Sequence, residues 1–131
     1  MIIGIGVDII DSTRIDKLWH KFTDKFLTKI YTDKEIASFR SIKNHQKKIL
    51  FLAKRFAAKE SFSKACGIGI GRGINFKDIE ITNDYLGKPN ILIINNKITF
   101  LNKIFNCKNF IAHLSLSDEG NLVNSYVIIE K

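Results

Sequence analysis

Two carboxylates stand where the surrounding pattern calls for apolar side chains, and a chemistry can be read from them. Asp8 closes the apolar run IIGIGVD at 2–8, and Glu60 lies inside a long helical pattern, flanked by Ala57, Ala58 and Phe62. Taking a carboxylate out of water is unfavourable unless it is paired, hydrogen-bonded or bound to a cation, so each marks a structural partner or a site. For Asp8 the structural alternative is a cap on the helix that follows. For Glu60 it is an i,i+4 pair with Lys64, which the local pattern alone favours. Together the two suit a divalent cation held by few protein oxygens, with positions left for water and a phosphate, as Mg²⁺ prefers. Lys59 and Lys64 on the same helix would add positive charge for a pyrophosphate, and the glycine run GIGIGRG at 67–73 would let backbone approach it. That run follows its helix and lacks a Gly-Lys-Ser/Thr ending, so it is not a P-loop, and a helix cap plus flexible turn is its commoner role.

The elements that must position these residues follow from periodicity. Residues 2–8 combine β-branched residues with glycines and read as a buried strand ending at Asp8. Ser12 then caps a helix whose Ile15, Leu18, Trp19 and Phe22 share one face, with Arg14, Lys17 and Lys21 forming a basic stripe on the other side. Thr32 and Glu35 have the spacing of a capping box, which predicts a helix over 33–41. From Asn44 to Cys66 there is neither Gly nor Pro, and Gly67 stands where a left-handed cap belongs, so one long helix carries Glu60 and Lys64. Alternation at 76–82 and 90–95 around the turn-forming YLGKP predicts a hairpin. A short helix at 97–105 and strands at 109–117 and 121–130, turned by Asp118-Glu119-Gly120, complete an α+β domain. No internal repeat or linker interrupts it, and residues 1–131 read as one domain.

Composition bounds the function. The chain carries 21 basic against 13 acidic residues, a formal charge of +8, which calls for an anionic partner. Only Arg14, Arg40, Arg55 and Arg72 among the basic residues are arginine, and no helix-turn-helix, zinc or RNP-like pattern appears, so a nucleic-acid-binding module is disfavoured. No apolar run reaches the length of a membrane span, because Asp8 and Asp11 break the longest N-terminal one. The start has no basic segment before its apolar stretch, which argues against a signal peptide. Cys66 and Cys107 lack metal-ligand spacing and fit core thiols in a reducing, cytoplasmic compartment.

The segments GIGVDIIDSTRI at 4–15 and RFAAKESFSKACGIGIGRGINFKDIEI at 55–81 resemble the two signature segments of the holo-acyl-carrier-protein synthases, the small bacterial 4′-phosphopantetheinyl transferases. YLGKP at 85–89 and HLSLS at 113–117 follow further segments of the family in order, so the resemblance covers nearly the whole chain. It implies the phosphopantetheinyl transferase fold, with an antiparallel sheet packed against the long helix. It also implies transfer of the phosphopantetheine arm of coenzyme A to a serine of acyl carrier protein, releasing adenosine 3′,5′-bisphosphate, in fatty acid biosynthesis.

By the same resemblance Asp8 and Glu60 are the Mg²⁺ ligands, and Lys64 neutralises charge on the leaving phosphate. The serine proton goes either to Glu60 or to a water on the ion; the water is preferred, since a carboxylate engaged by a metal is a poor base. Arg55, Lys59, Ser63, Gly67, His113 and Ser115 join Lys64 as expected coenzyme A contacts. Strand alternation puts His113, Ser115 and Ser117 on one face. Many relatives have a second histidine where this chain has Asp118, an exchange expected to be tolerated because Asp118 would lie in the turn. Arg14, with Lys17 and Lys21, is expected to dock the acidic carrier. The family also implies a homotrimer with active sites between subunits. A catalytically dead carrier-binding protein would keep the basic stripe alone, and the intact set Asp8, Glu60 and Lys64 argues against it.

Overall fold

A computed structural model describes residues 1–131. The chain runs β1 (Ile2–Asp11), α1 (Ser12–Phe22), α2 (Asp24–Ile30), α3 (Asp33–Ser41), α4 (His45–Cys66), β2 (Ile79–Asn83), β3 (Pro89–Ile93), α5 (Ile98–Ile104), β4 (Ile111–Glu119) and β5 (Leu122–Glu130). A three-stranded antiparallel sheet of order β1-β5-β4 packs against α4, and the β2-β3 hairpin stands beside it. The expected α+β architecture is present. No helix is long and apolar enough to cross a membrane.

The strongest sequence signals reappear as local geometry. The Thr32 side chain accepts from the Glu35 N–H and the Glu35 carboxylate accepts from the Thr32 N–H, which closes the capping box of α3. Asn44 caps α4 through the Lys47 N–H, and Gly67 ends it at φ 76°, a left-handed conformation that glycine adopts without a Cβ penalty.

Several expectations need correction. β1 does not stop at Asp8 but continues to Asp11, and Asp11, not Ser12, caps α1, accepting from the Thr13 N–H at 2.9 Å. Asp8 therefore caps nothing and stays inside the strand. The sequence reading had no counterpart of α2, which is seven residues long and set off from α1 by Thr23 at φ 45°. The hairpin begins with a 3-10 turn at Phe76–Asp78 where strand was expected. Finally, the turn between β4 and β5 is Gly120-Asn121, so Asp118 lies within β4, paired in register with Val123. Its Oδ1 is 3.0 Å from Lys54 Nζ of α4, so its charge has a local partner.

Register divides the three-stranded sheet into two faces. Gly4, Gly6, Asp8 and Ile10 of β1 point toward α4 together with Val123, Ser125, Val127 and Ile129 of β5, all four of which are buried. The opposite face carries Ile5, Val7 and Ile9, Tyr126 and Ile128, and His113, Ser115 and Ser117, all exposed in the single chain. The core lies on the α4 side in two adjoining clusters, one around Ile15, Tyr31, Phe39 and Leu52 and one around Phe62, Ile74, Ile79 and Leu101.

Cys66 belongs to the second cluster, and burial pushes its thiol up to about 12. The native state is therefore expected to leave Cys66 unmodified by iodoacetamide near pH 8 while Cys107, half-buried, reacts; mass mapping of the labelled peptides checks this. The same shift has a sign for stability. The folded state holds the proton more tightly than the unfolded one, so stability is lost as pH rises from the free-thiol range toward 12.

Candidate active site

The site forms where α4 crosses β1, and two glycines permit the crossing. A Cβ at Gly4 would lie 2.0 Å from the Ala65 carbonyl oxygen, and one at Gly6 would lie 1.9 Å from the Ser61 carbonyl oxygen. Helix backbone thus rests directly on strand backbone. Because side chains alternate along a strand, Asp8 points to the same face two residues on, toward α4. Across the contact, the Ser61 and Ser125 hydroxyls share a 2.6 Å hydrogen bond that fixes α4 against β5.

On α4, Glu60 and Lys64 lie one turn apart and meet Asp8. Lys64 Nζ donates to Asp8 Oδ1 at 3.1 Å and to the Val7 carbonyl oxygen at 3.0 Å. The lysine therefore bonds across to the strand, and the i,i+4 pair with Glu60 is not the contact it makes. Partial burial, then the charge of Asp8, hold the Glu60 carboxyl above its usual range, while Lys64 and Arg14 act in the opposite direction. Two carboxylates close enough to repel, with one lysine, make a site of concentrated negative charge.

That donor set suits a hard divalent cation. No third His, Cys, Asp or Glu joins the pair, so protein oxygens would fill few positions of an octahedral ion. Mg²⁺ characteristically keeps such positions for water and substrate phosphate.

The other expected ligand contacts lie elsewhere. Lys59 is fully buried, bonded to the Ile30 carbonyl oxygen and Glu35 Oε1, and cannot reach a phosphate. Ser63 is also buried, its hydroxyl donating to the Glu60 carbonyl oxygen at 2.8 Å, so its expected ligand contact is not available either. Gly67 is exposed, with open space where a Cβ would stand.

Arg55 precedes Glu60 by five residues, which turns it well away from Glu60 around the helix axis. Its guanidinium stacks 3.8 Å from the Phe51 ring centroid and donates through Nη2 to Asn83 Oδ1, and burial lowers its pKa. It lines a recess of about 280 Å³ with Lys47 and Lys54. His113 and Ser115 stand on the outer sheet face, with His113 Nε2 3.6 Å from Glu130 Oε2. His113 also borders a cleft of about 280 Å³ with Lys88 and Pro89. Within one chain, then, Asp8, Glu60 and Lys64 gather, while Arg55 and His113 occupy other faces.

Arg14, Lys17 and Lys21 are exposed on α1, and Arg14 lies near enough to Glu60 to influence its charge. Beside them runs a groove of about 380 Å³ lined by Leu18 and Phe22 of α1, Phe26 and Ile30 of α2, and Phe56 and Phe76, with Arg14, Lys25 and Lys29 at its walls. The helical spacing of α1 puts Leu18 and Phe22 on one apolar face but does not by itself define a groove. Phe26, Leu27 and Ile30, at helical spacing after Asp24, were the signal that could have revealed its second wall.

Fold and site together define a class of transferase. Residues 4–128 match the family model of the 4′-phosphopantetheinyl transferase superfamily, and the chain belongs to that superfamily. Within it, the chain is similar to holo-[acyl-carrier-protein] synthases over its whole length. It is 46% identical over 129 residues to that of Wolbachia sp. subsp. Brugia malayi, covering 98% of this chain and 96% of the relative. The crystal structure of the Neisseria meningitidis synthase superposes with a TM-score of 0.87 at 37% identity, covering 100% of both chains. The Bacillus anthracis synthase, solved in complex with CoA (3′,5′-ADP), gives 0.81 at 37% identity, covering 100% of this chain and 98% of that one.

Proposed function

We infer that the protein transfers the 4′-phosphopantetheine moiety of coenzyme A to a serine of apo-acyl carrier protein, releasing adenosine 3′,5′-bisphosphate. The observation that carries this reading is the meeting of Asp8, Glu60 and Lys64 at the crossing of α4 and β1, in a chain that matches holo-[acyl-carrier-protein] synthases end to end. The serine oxygen forms a bond to the phosphorus bearing the pantetheine, the serine proton passes to a water or to Glu60, and the bond to the departing adenosine bisphosphate breaks. Asp8 and Glu60 are the residues that would hold Mg²⁺, which supplies positive charge to the pyrophosphate when bound. Lys64, anchored at Asp8 and the Val7 carbonyl, places an ammonium at the same point. The test incubates the protein with coenzyme A, Mg²⁺ and apo-carrier protein and weighs the carrier by mass spectrometry. A gain of the phosphopantetheine mass is expected, and a folded preparation that gives none overturns the reading.

Carrier docking is assigned to α1 and the groove beside it. Arg14, Lys17 and Lys21 offer positive charge to an acidic helical partner, and the apolar groove offers burial to a side chain from it. Arg14→Glu is expected to weaken the carrier about tenfold or more and to reduce the salt dependence of its binding. A carrier titration with unchanged affinity would remove Arg14 from the docking surface.

We also assign the outer sheet face to contact between copies of the chain, as a homotrimer with its sites at subunit boundaries. Ile5, Val7, Tyr126 and Ile128 form an apolar patch on that face, and His113 and Ser115 stand beside it. Such patches on soluble chains commonly mark interfaces. In that arrangement Arg55 and His113, remote from Asp8 within one chain, serve the coenzyme A site of a neighbour. Val7→Lys, which puts a charge into the patch, is expected to shift the mass in sedimentation or light scattering from trimer to monomer. A wild-type chain that sediments as a monomer at micromolar concentration would refute the assembly. A cytoplasmic location fits both cysteines being free thiols.

A further inference from the structure

Lys59 stands one residue before Glu60 and has no exposed surface, and the reaction as read above gives it no role. Its Nζ donates to the Ile30 carbonyl oxygen at 2.7 Å and to Glu35 Oε1 at 2.5 Å, and lies 5.4 Å from the centroid of the buried Tyr31 ring. Ile30 is the last residue of α2, where carbonyls have no partner within the helix, so the ammonium satisfies a group that would otherwise be stranded in the core. Glu35 extends the tie. Its Oε1 also accepts the Thr32 N–H at 2.9 Å and its Oε2 accepts the Ile81 N–H at 3.0 Å, so one ion pair joins α4 to the end of α2, the start of α3 and strand β2. The Thr32 hydroxyl continues the network to Glu80 Oε2 at 2.6 Å.

Desolvation lowers the pKa of Lys59, and Glu35 opposes that shift by favouring the charged form. An apolar side chain of similar length would fill this space without the desolvation penalty. What a buried ion pair can add beyond packing is a fixed geometry between the segments it joins, and here it joins four. The segment it fixes here is functional: Ile30, with Lys25, Phe26 and Lys29 of the same short helix, forms one side of the groove, and Phe56, one turn before Glu60 on α4, lines it too.

We propose that Lys59 is a positioning residue for carrier docking, holding the Ile30 carbonyl so that α2 stands at a set distance and height from α4 and hence from Glu60. The proposal rests on the reading of the groove as the docking surface, and deepens it by naming the residue that sets the groove's shape.

The experiment measures KM for the carrier and for coenzyme A separately in Lys59→Met and Lys59→Gln, with Lys59→Arg as the charge-retaining variant. A loosened α2 leaves one wall of the groove out of place and to be ordered on docking, which is expected to raise the carrier KM about tenfold. The coenzyme A KM should stay within about twofold, and Arg should recover part of the loss. An equal rise in both KM values, or a fall in kcat with both unchanged, overturns the proposal, because Lys59 would then act on Glu60 or on the fold at large. Arg14→Glu is measured alongside. If it leaves the carrier KM unchanged, the docking reading fails and takes the proposal with it; if it raises that KM while the Lys59 variants do not, only the positioning role fails. Should the Lys59 variants not fold, hydrogen exchange on the wild-type chain decides. Amides of α2 are expected to be protected alongside those of α4, and exchange at the rate of a frayed surface helix would refute the anchor.

Discussion

Glu60→Gln and Asp8→Asn are each expected to lower kcat/KM by about 10²–10³-fold or more, with the fold intact. Each exchange keeps the size of the side chain and removes a negative charge that, on the proposed reading, would hold a divalent cation. The two variants should nevertheless differ in the absence of metal. The Glu60 carboxyl is held above its usual range, so the folded chain binds that proton more tightly than the unfolded one. Stability from this group is thus present at low pH and is lost as pH rises through the folded pKa. Glu60→Gln removes that penalty and is expected to melt no lower than wild type at neutral pH, the two converging as pH falls. Asp8→Asn weakens the contact with Lys64 and has no such gain to offer. Mass spectrometry of the carrier and melting at two pH values separate loss of chemistry from loss of structure. Activity within about tenfold of wild type in either variant would remove that carboxylate from the reaction.

Gly6→Ala should be the most damaging small substitution in the chain. The added methyl would meet the Ser61 carbonyl oxygen at 1.9 Å and the Ala65 nitrogen at 2.7 Å, both helix backbone that cannot rotate aside. α4 must then move off β1, stretching the Ser61–Ser125 hydrogen bond and a contact that buries much of the core. A loss of about 3 kcal/mol or more is expected, at or beyond the upper end for overpacking. Against a total of roughly 5–15 kcal/mol, that is a large share. The melting temperature should fall by about 10 °C or more. Activity should fall further than stability explains, because Asp8 rides on the strand and Glu60 on the helix. Gly69→Asn serves as the contrast: Gly69 is left-handed at φ 69° with open space around it, and asparagine tolerates that conformation, so a small effect is expected. Equal melting curves for Gly6→Ala and wild type would mean that the crossing is not close.

These expectations show what was legible in the sequence. Helix α4, its Gly67 cap and the capping box of α3 could be read because each depends on residues a few positions apart. Asp8 and Glu60 were conspicuous for the same reason, as charges set into local apolar patterns. Asp8 also misled, since a polar side chain on the buried face looked like the end of a strand that in fact continues to Asp11. Helix α2 escaped because its seven residues give too short a period, and with it went one wall of the groove. Lys59 was read as a phosphate contact because it stands beside Glu60 on the same helix; its partner Glu35 lies 24 residues earlier, and no local pattern announces a long-range buried pair. Asp118 was assigned to a turn because Asp-Glu-Gly resembles one, whereas its contact with Lys54 depends on where α4 meets the sheet.

The strand order carries a consequence for how the protein is made. β5, residues 122–130, lies between β1 and β4, so β1 has no strand neighbour until residues 122–130 have been translated. At about 5–20 residues per second, Ile5, Val7 and Ile9 spend several seconds on an unpaired edge, where nascent chains are prone to stick. Pairings between distant parts of a sequence also form slowly. Asp8 stands opposite Ser125 in that pairing, so the strand that carries it is paired only once β5 is in place, and chains cut short before β5 are expected to be inactive rather than partly active.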